Sequence, residues 1–173
     1  MEDILEILKY ILPSVITFLA SYLIIKRFLD NDYRKKTVDI RMQNQKTMQP
    51  IRLQAYERLV LLLERISLPS LVQRTHKQGM SARLLQSELL KAIRAEFDHN
   101  LSQQVYITNK SWDSLKTAKE ETVKVINIAA SRLNEDASGM DLINVIFEIV
   151  TKVDRLPTDI AIDILKMEAR QIF

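Results

Sequence analysis

The chain has no cysteine. That excludes thiol catalysis, disulfides and cysteine-based zinc or iron–sulfur sites. Glycine occurs twice and proline four times in 173 residues. A β-sandwich or barrel turns often and uses glycine to do so. A doubly wound nucleotide fold needs glycine where phosphate meets backbone. Neither requirement is met. Histidine also occurs only twice. His76 and His99 belong to no i, i+4 pair and no HExxH arrangement. Asp98, His99 and Ser102 carry the letters of a catalytic triad. Adjacent helical positions point about 100° apart, however, so Asp98 would orient His99 poorly. A histidine at a helix end ordinarily meets the dipole there. No GxxxxGK(S/T), GxSxG or GxGxxG occurs. We therefore expect no enzyme, no cofactor and no metal.

What is present is ordinary for a folded protein: 47% hydrophobic and 27% charged residues. The length suits one domain, or one domain with an appendage. Charge is unevenly placed. Lys26, Arg27, Arg34, Lys35, Lys36, Arg41 and Lys46 are opposed only by Asp30, Asp32 and Asp39 in residues 26–46. Residues 47–173 are almost balanced, with 17 basic and 16 acidic side chains. The basic character belongs to that one stretch, which argues against nucleic acid as a partner.

Just before it, residues 10–25 carry no charge, and residues 4–25 are apolar apart from Glu6, Lys9 and a few hydroxyls. Twenty-two helical residues rise about 33 Å, enough for a bilayer core of about 30 Å. Tyr10 and Tyr22 fall at interfacial depth. We expect a transmembrane helix here. The basic flank Lys26, Arg27, Arg34, Lys35, Lys36 and Arg41 then places the C-terminal bulk in the cytoplasm, and it can also touch anionic lipid heads. Pro13 removes one backbone donor inside the span. Ser14, Thr17 and Ser21 share one face, which allows close helix–helix approach or hydrogen bonds back to the same helix.

The remainder reads as helices. Residues 30–49 are a polar linker or a frayed extension of the first helix. Pro50 suits the first position of a new helix. Two adjoining stripes follow, Leu53, Tyr56, Val60, Leu63 and Ala55, Leu59, Leu62, Ile66, before Pro69 ends it. Ser81 caps a helix carrying Leu85, Leu89, Ile93 and Phe97, closed by Asn100. Residues 101–108 form one more turn or a short extended crossing. Ser111 caps a helix with the stripe Trp112, Leu115, Ala118, Thr122, Ile126, Ala129 and Leu133. Ser138 and Asp141 resemble a capping box before Leu142, Ile146, Ile149, Val153 and Leu156, a helix broad enough in its apolar face to be central. Glu148 within it calls for a basic partner from a neighbouring helix. Pro157 and Thr158 start a last helix with Ile160, Ile164, Leu165, Met167 and Ile172 apolar.

Two polar clusters stand out. One is Gln54, Glu57 and Arg58; the other is His99, Asn100, Gln103 and Gln104 where a turn must be made. Each is a partner surface or a hydrogen-bond network that fixes helix register.

The stretches RLQAYERLVLLLERI (residues 52–66) and FDHNLSQQVYITNKSWDSLKTAKEETVKVIN (residues 97–127) resemble an uncharacterised family of small single-span membrane proteins from Bacteroidota. The resemblance implies a bacterial inner-membrane protein with a cytoplasmic helical domain, and no activity. The b subunit of ATP synthase shares the plan of one span then helices, but continues as one long helix. Here Pro50, Pro69, Gly79, Gly139 and Pro157 are expected to break the chain.

These readings converge on an all-α protein: an N-terminal transmembrane helix (residues 1–29), a basic juxtamembrane linker (30–49) and a cytoplasmic bundle of about five helices (50–173). The expected function is a non-enzymatic membrane-anchored adaptor touching lipid and an unidentified protein partner. The alternatives are a homo-oligomeric membrane assembly and a helical ligand sensor or enzyme.

Overall fold

The computed structural model describes the backbone of residues 2–172, and their side chains except at 2–10, 12, 13, 41 and 44. Among the described residues six α-helices follow one another: α1 (Glu2–Ile66), α2 (Leu68–Thr75), α3 (Ala82–His99), α4 (Asn109–Ser131), α5 (Gly139–Val150) and α6 (Pro157–Ile172). A 3-10 turn, Leu101–Val105, joins α3 to α4. No strand element occurs among the described residues, and the protein is all-α. The chain divides into two compact units, residues 1–48 and 49–173.

The first unit is helical. Its described apolar side chains are open: Phe18, Ile24 and Phe28 are 71%, 67% and 70% exposed. Among the described residues, no helix is long and apolar enough to cross a membrane. The span expected over residues 4–25 thus does not stand on the described residues alone. Glu6, Lys9, Tyr10 and Pro13 of that run lie outside the described side chains. Residues 30–49 are an extension of the first helix, the second of the two expected alternatives, rather than an irregular linker, and Pro50 lies inside α1 instead of opening a helix. The proline ring removes one hydrogen bond. The flanking Gln, Lys, Arg and Leu residues are strong helix formers and outweigh that local loss.

In the second unit the interior is built from Leu59, Leu62, Leu63 and Ile66 of α1, Leu85, Leu89 and Ile93 of α3, Leu115 and Ile126 of α4, and Leu142 and Ile146 of α5. Each is at most 1% exposed and contributes about 1.5–3 kcal/mol by leaving water. The expected α4 stripe is interior from Trp112 to Ala129, with Leu133 partly buried against it. The central helix is α4, not α5. It packs on α3, α5 and α6, because its 23 residues present an apolar row on every turn whereas α5 has 12 residues.

Helix ends explain the other departures. As expected, α1 ends at Ile66 ahead of Pro69, and Pro69 then sits in the first turn of the short α2, where a missing N–H costs nothing. Thr108, not Ser111, caps α4: its side chain accepts from the Ser111 N–H. Both are hydroxyl residues, and the earlier one wins because Asn109 and Lys110 can already be helical. The ambiguous stretch after Asn100 becomes the 3-10 turn. Ser138 and Asp141 form a capping box on α5 as expected. That helix ends at Val150, so Val153 is 46% exposed instead of buried. Glu148 is exposed and pairs with Lys152 one turn along its own chain, not with a neighbouring helix. On α6 the interior face is Thr158, Ala161, Ile162 and Leu165, whereas Ile160 and Met167 point outward.

The N-caps of α3 and α5 lie side by side. The Ala82 N–H donates to the Ala137 carbonyl at 2.9 Å, and the Gly139 N–H donates to the Met80 carbonyl at 2.7 Å. This approach leaves no room at residue 139 for a side chain: a Cβ there would stand 2.9 Å from the Met80 oxygen. The other glycine, Gly79, holds φ +84 in the turn before Ser81, a region open to glycine at little cost.

Candidate functional site

Two carboxylates, neither singled out by the sequence, organise the polar groups of the second unit. The first is Glu168. It lies on the inward face of α6, one turn past Leu165, and meets the start of α4. Its Oε1 accepts the Tyr56 hydroxyl at 2.6 Å and the Thr108 N–H at 3.1 Å. Its Oε2 accepts the hydroxyls of Thr108, at 2.8 Å, and of Ser111. Beside them, Arg52 Nε donates to the Tyr106 carbonyl at 3.1 Å.

An ionised carboxylate offers about four lone-pair positions, and four donors occupy those of Glu168. Burial by itself would raise its pKa, but the hydrogen bonds from Ser111, Tyr56 and Thr108 outweigh burial and hold it below the ordinary value. Tyr56 is the counterpart. Burial first, and then the hydrogen bond to the Glu168 anion, push its hydroxyl up to about 12. The pair is therefore an anion and a neutral phenol at neutral pH. With its acceptor positions filled, Glu168 has none left for a substrate proton. The arrangement works as a latch that ties α1, α4 and α6 together.

The second carboxylate is Glu96 on α3. Its Oε1 receives Arg65 Nε at 2.7 Å and Arg74 Nη1 at 3.0 Å. Arg74 also donates to the Arg65 carbonyl at 3.3 Å, so the end of α1, α2 and α3 share one charged knot. Nearby, the Phe97 and Trp112 rings stand 5.4 Å apart. Lys119 Nζ lies 4.3 Å from the Phe97 ring centre, a cation–π arrangement joining α3 to α4.

The residues expected to form a surface or register network divide accordingly. Gln54, Glu57 and Arg58 are exposed on α1, while the inward network runs through Arg52 and Tyr56 on either side of Gln54. His99 and Gln104 are exposed, whereas Asn100 and Gln103 are buried and make the turn. Asn100 Nδ2 donates to the Glu96 carbonyl at 2.9 Å, and the Gln103 N–H to the Asn100 carbonyl at 3.0 Å. Among the described residues, no hydrogen bond joins the two clusters into one site. Lys26, Arg27, Arg34, Lys35 and Lys36 are exposed, with Lys36 paired to Asp32 at 2.9 Å, and Arg41 lies outside the described side chains. Ser14 and Thr17 donate to carbonyls of their own helix, those of Ile11 at 2.7 Å and Ser14 at 2.9 Å. Ser21 is exposed. Among the described residues, no three acidic or histidine side chains converge as a metal set.

Glu168 could have been suspected from spacing. It continues the row Ala161, Leu165 and Ile172 at helical intervals, and a carboxylate on such a face needs donors.

The model of a family of unknown function, DUF7935, matches residues 2–172. The chain belongs to that family. The match takes in both units. No curated protein and no solved structure matches the chain.

One surface feature of this DUF7935 member remains. An apolar groove of about 380 Å³ runs between α1 and α6 within the second unit, lined by Leu53, Val60, Leu61, Leu165 and Ala169 together with Tyr56, Glu57, Glu64 and Lys166. Leu53 and Leu61 are 41% and 57% exposed.

Proposed function

We propose that this protein is a non-enzymatic adaptor anchored in the inner membrane of a bacterium, its N-terminus outside and its helical second unit in the cytoplasm. One observation carries the reading: within the uncharged run of residues 10–25, the turn formed by residues 22–25 presents apolar side chains all round α1. Tyr22, Leu23, Ile24 and Ile25 point in four successive directions about 100° apart, and all four are more than half exposed. A helix apolar on every side needs apolar surroundings, and lipid provides them. Lys26, Arg27, Arg34, Lys35, Lys36 and Arg41 directly after the run supply the cytoplasmic charge bias.

The adaptor mechanism is localisation. A folded unit confined to a membrane meets other membrane-bound proteins at a raised effective concentration. The groove beside Leu53 and Leu61 supports docking, since exposed apolar surface of that kind marks interaction sites. The saturated acceptors of Glu168 speak for a structural rather than a catalytic polar cluster.

The test is fractionation of cells carrying the full chain, with alkaline carbonate extraction and protease treatment of spheroplasts. The protein should stay in the pellet after carbonate and be spared by external protease. Recovery in the supernatant would end the anchored reading, and digestion of residues 49–173 from outside would reverse the topology. A photocrosslinker at Leu61 should then give one reproducible adduct in membranes.

A further inference from the structure

The second unit contains a small apolar cavity that none of the features above uses. It has a volume of about 140 Å³ and lies where α4, the end of α5 and the start of α6 meet. Val125, Ile149, Val150, Val153 and Leu156, with Leu68 and Pro157, supply most of its wall. Two hydroxyl side chains also line it. That of Thr122 is committed, donating to the Ala118 carbonyl at 2.8 Å. Thr158 is 2% exposed, and its Oγ1 is buried with no hydrogen-bond partner among the described residues. A buried hydroxyl left without a partner is unfavourable, and native proteins keep few of them.

Size, charge and polarity together define what fits. Apolar cavities of about 150 Å³ stay dry and take one benzene-sized molecule. The ionisable lining residue, Glu121, is engaged by Lys124 at 3.5 Å, and no cationic side chain lines the wall. Neither an anion nor a cation is therefore catered for. The unpartnered Thr158 Oγ1 can donate and accept, so it favours a ligand with one hydroxyl over a pure hydrocarbon.

We propose that this cavity binds one small uncharged molecule with a compact apolar body of about six carbons and a single hydroxyl group directed at Thr158, phenol being the simplest example. The site stands on residues 121–158 and Leu68 alone. It is independent of membrane anchoring, so the two readings can fail separately.

Methyl-labelled full-length protein in detergent micelles would be titrated with phenol and, separately, with benzene, following the NMR signals of Val125, Ile149, Val150 and Val153. Saturable shifts at these methyls are expected, with phenol binding about fivefold tighter than benzene, the usual net effect of one hydrogen bond. Thr158→Val keeps the shape and removes the hydroxyl, and should bring the two affinities together. Val150→Phe fills the cavity and should abolish both sets of shifts. The absence of saturable shifts at these positions in the unaltered protein would overturn the proposal, as would equal affinities for phenol and benzene. Should Thr158→Val fail to fold, the phenol-to-benzene ratio of the unaltered protein decides alone.

Discussion

The Glu168 carboxylate of α6 accepts the backbone N–H of Thr108, the residue that caps α4. In a capping box this acceptor comes from the third residue of the same helix. Here that third residue is Ser111, too short to reach back, and its hydroxyl instead donates to Glu168. A carboxylate 60 positions away in sequence thus completes the cap.

Glu168→Ala should strand the donors of Tyr56, Thr108 and Ser111 together. The expected loss is on the order of 3 kcal/mol, read as a lower denaturation midpoint of the second unit. Tyr56→Phe removes a single donor and should cost about 1 kcal/mol. Near-equal losses for the two substitutions would show that the latch is not cooperative around Glu168.

The same residues set a pH window. The pKa of Glu168 is lowered in the folded chain from its ordinary 4.5, so the unfolded chain takes up the proton first as pH falls. Its stabilising effect is complete above about pH 5 and declines through pH 4.5 and below. Tyr56 behaves in the opposite sense. Its folded pKa is raised from 10.0 to about 12, so its effect is complete below pH 10 and is lost between there and pH 12. Equilibrium unfolding from pH 3 to 11 should show both flanks, and Glu168→Gln should flatten the acidic one.

The two glycines should respond differently to alanine. At Gly139 the new Cβ meets the Met80 carbonyl, a backbone atom that cannot swing aside. Gly139→Ala is expected to cost about 1–3 kcal/mol by overpacking. At Gly79 nothing lies within 4 Å, and the cost comes from φ +84 alone, about 1–2 kcal/mol. Gly79→Asn should recover part of that loss, whereas Gly139→Asn should not. Thermal unfolding of the four variants checks this.

Leu19→Lys places a charge in the middle of the uncharged run, a change costing about 3 kcal/mol in a bilayer. The variant should shift from pellet to supernatant after carbonate extraction, while Lys35→Leu should not. Identical recovery of Leu19→Lys and the parent chain would argue that lipid does not surround this segment.

Where local chemistry dictates local structure, the sequence was readable. Ser81 caps α3, the Ser138 and Asp141 pair forms its box, and the row from Trp112 to Ala129 faces inward, because each depends on residues within one or two turns. Proline was harder to read. Pro50 and Pro69 were both expected to mark helix boundaries. Pro69 does so, since α1 ends at Ile66 and α2 starts at Leu68; Pro50 lies within α1, because a proline specifies only its own φ and a missing donor. On α6 the place of Glu168 in the row Ala161, Leu165 and Ile172 is local information, but its donors are not. Tyr56, Thr108 and Ser111 belong to α1 and the start of α4. These partners are remote in sequence, so no window of α6 names them. The second carboxylate, Glu96, was missed in the same way, its partners Arg65 and Arg74 lying on two other elements.

The paired N-caps of α3 and α5 also bear on the order in which the second unit is assembled. Ser81 and Ser138 are 57 positions apart, and all of α4 lies between them. Their bridge closes a long loop, so its entropic cost is met only after the intervening chain has doubled back. This clasp should form after the rate-limiting step. Weakening it at Gly139 should then hasten unfolding and leave the refolding rate almost unchanged, so that this backbone clasp governs how long the native state lasts rather than how quickly it is reached.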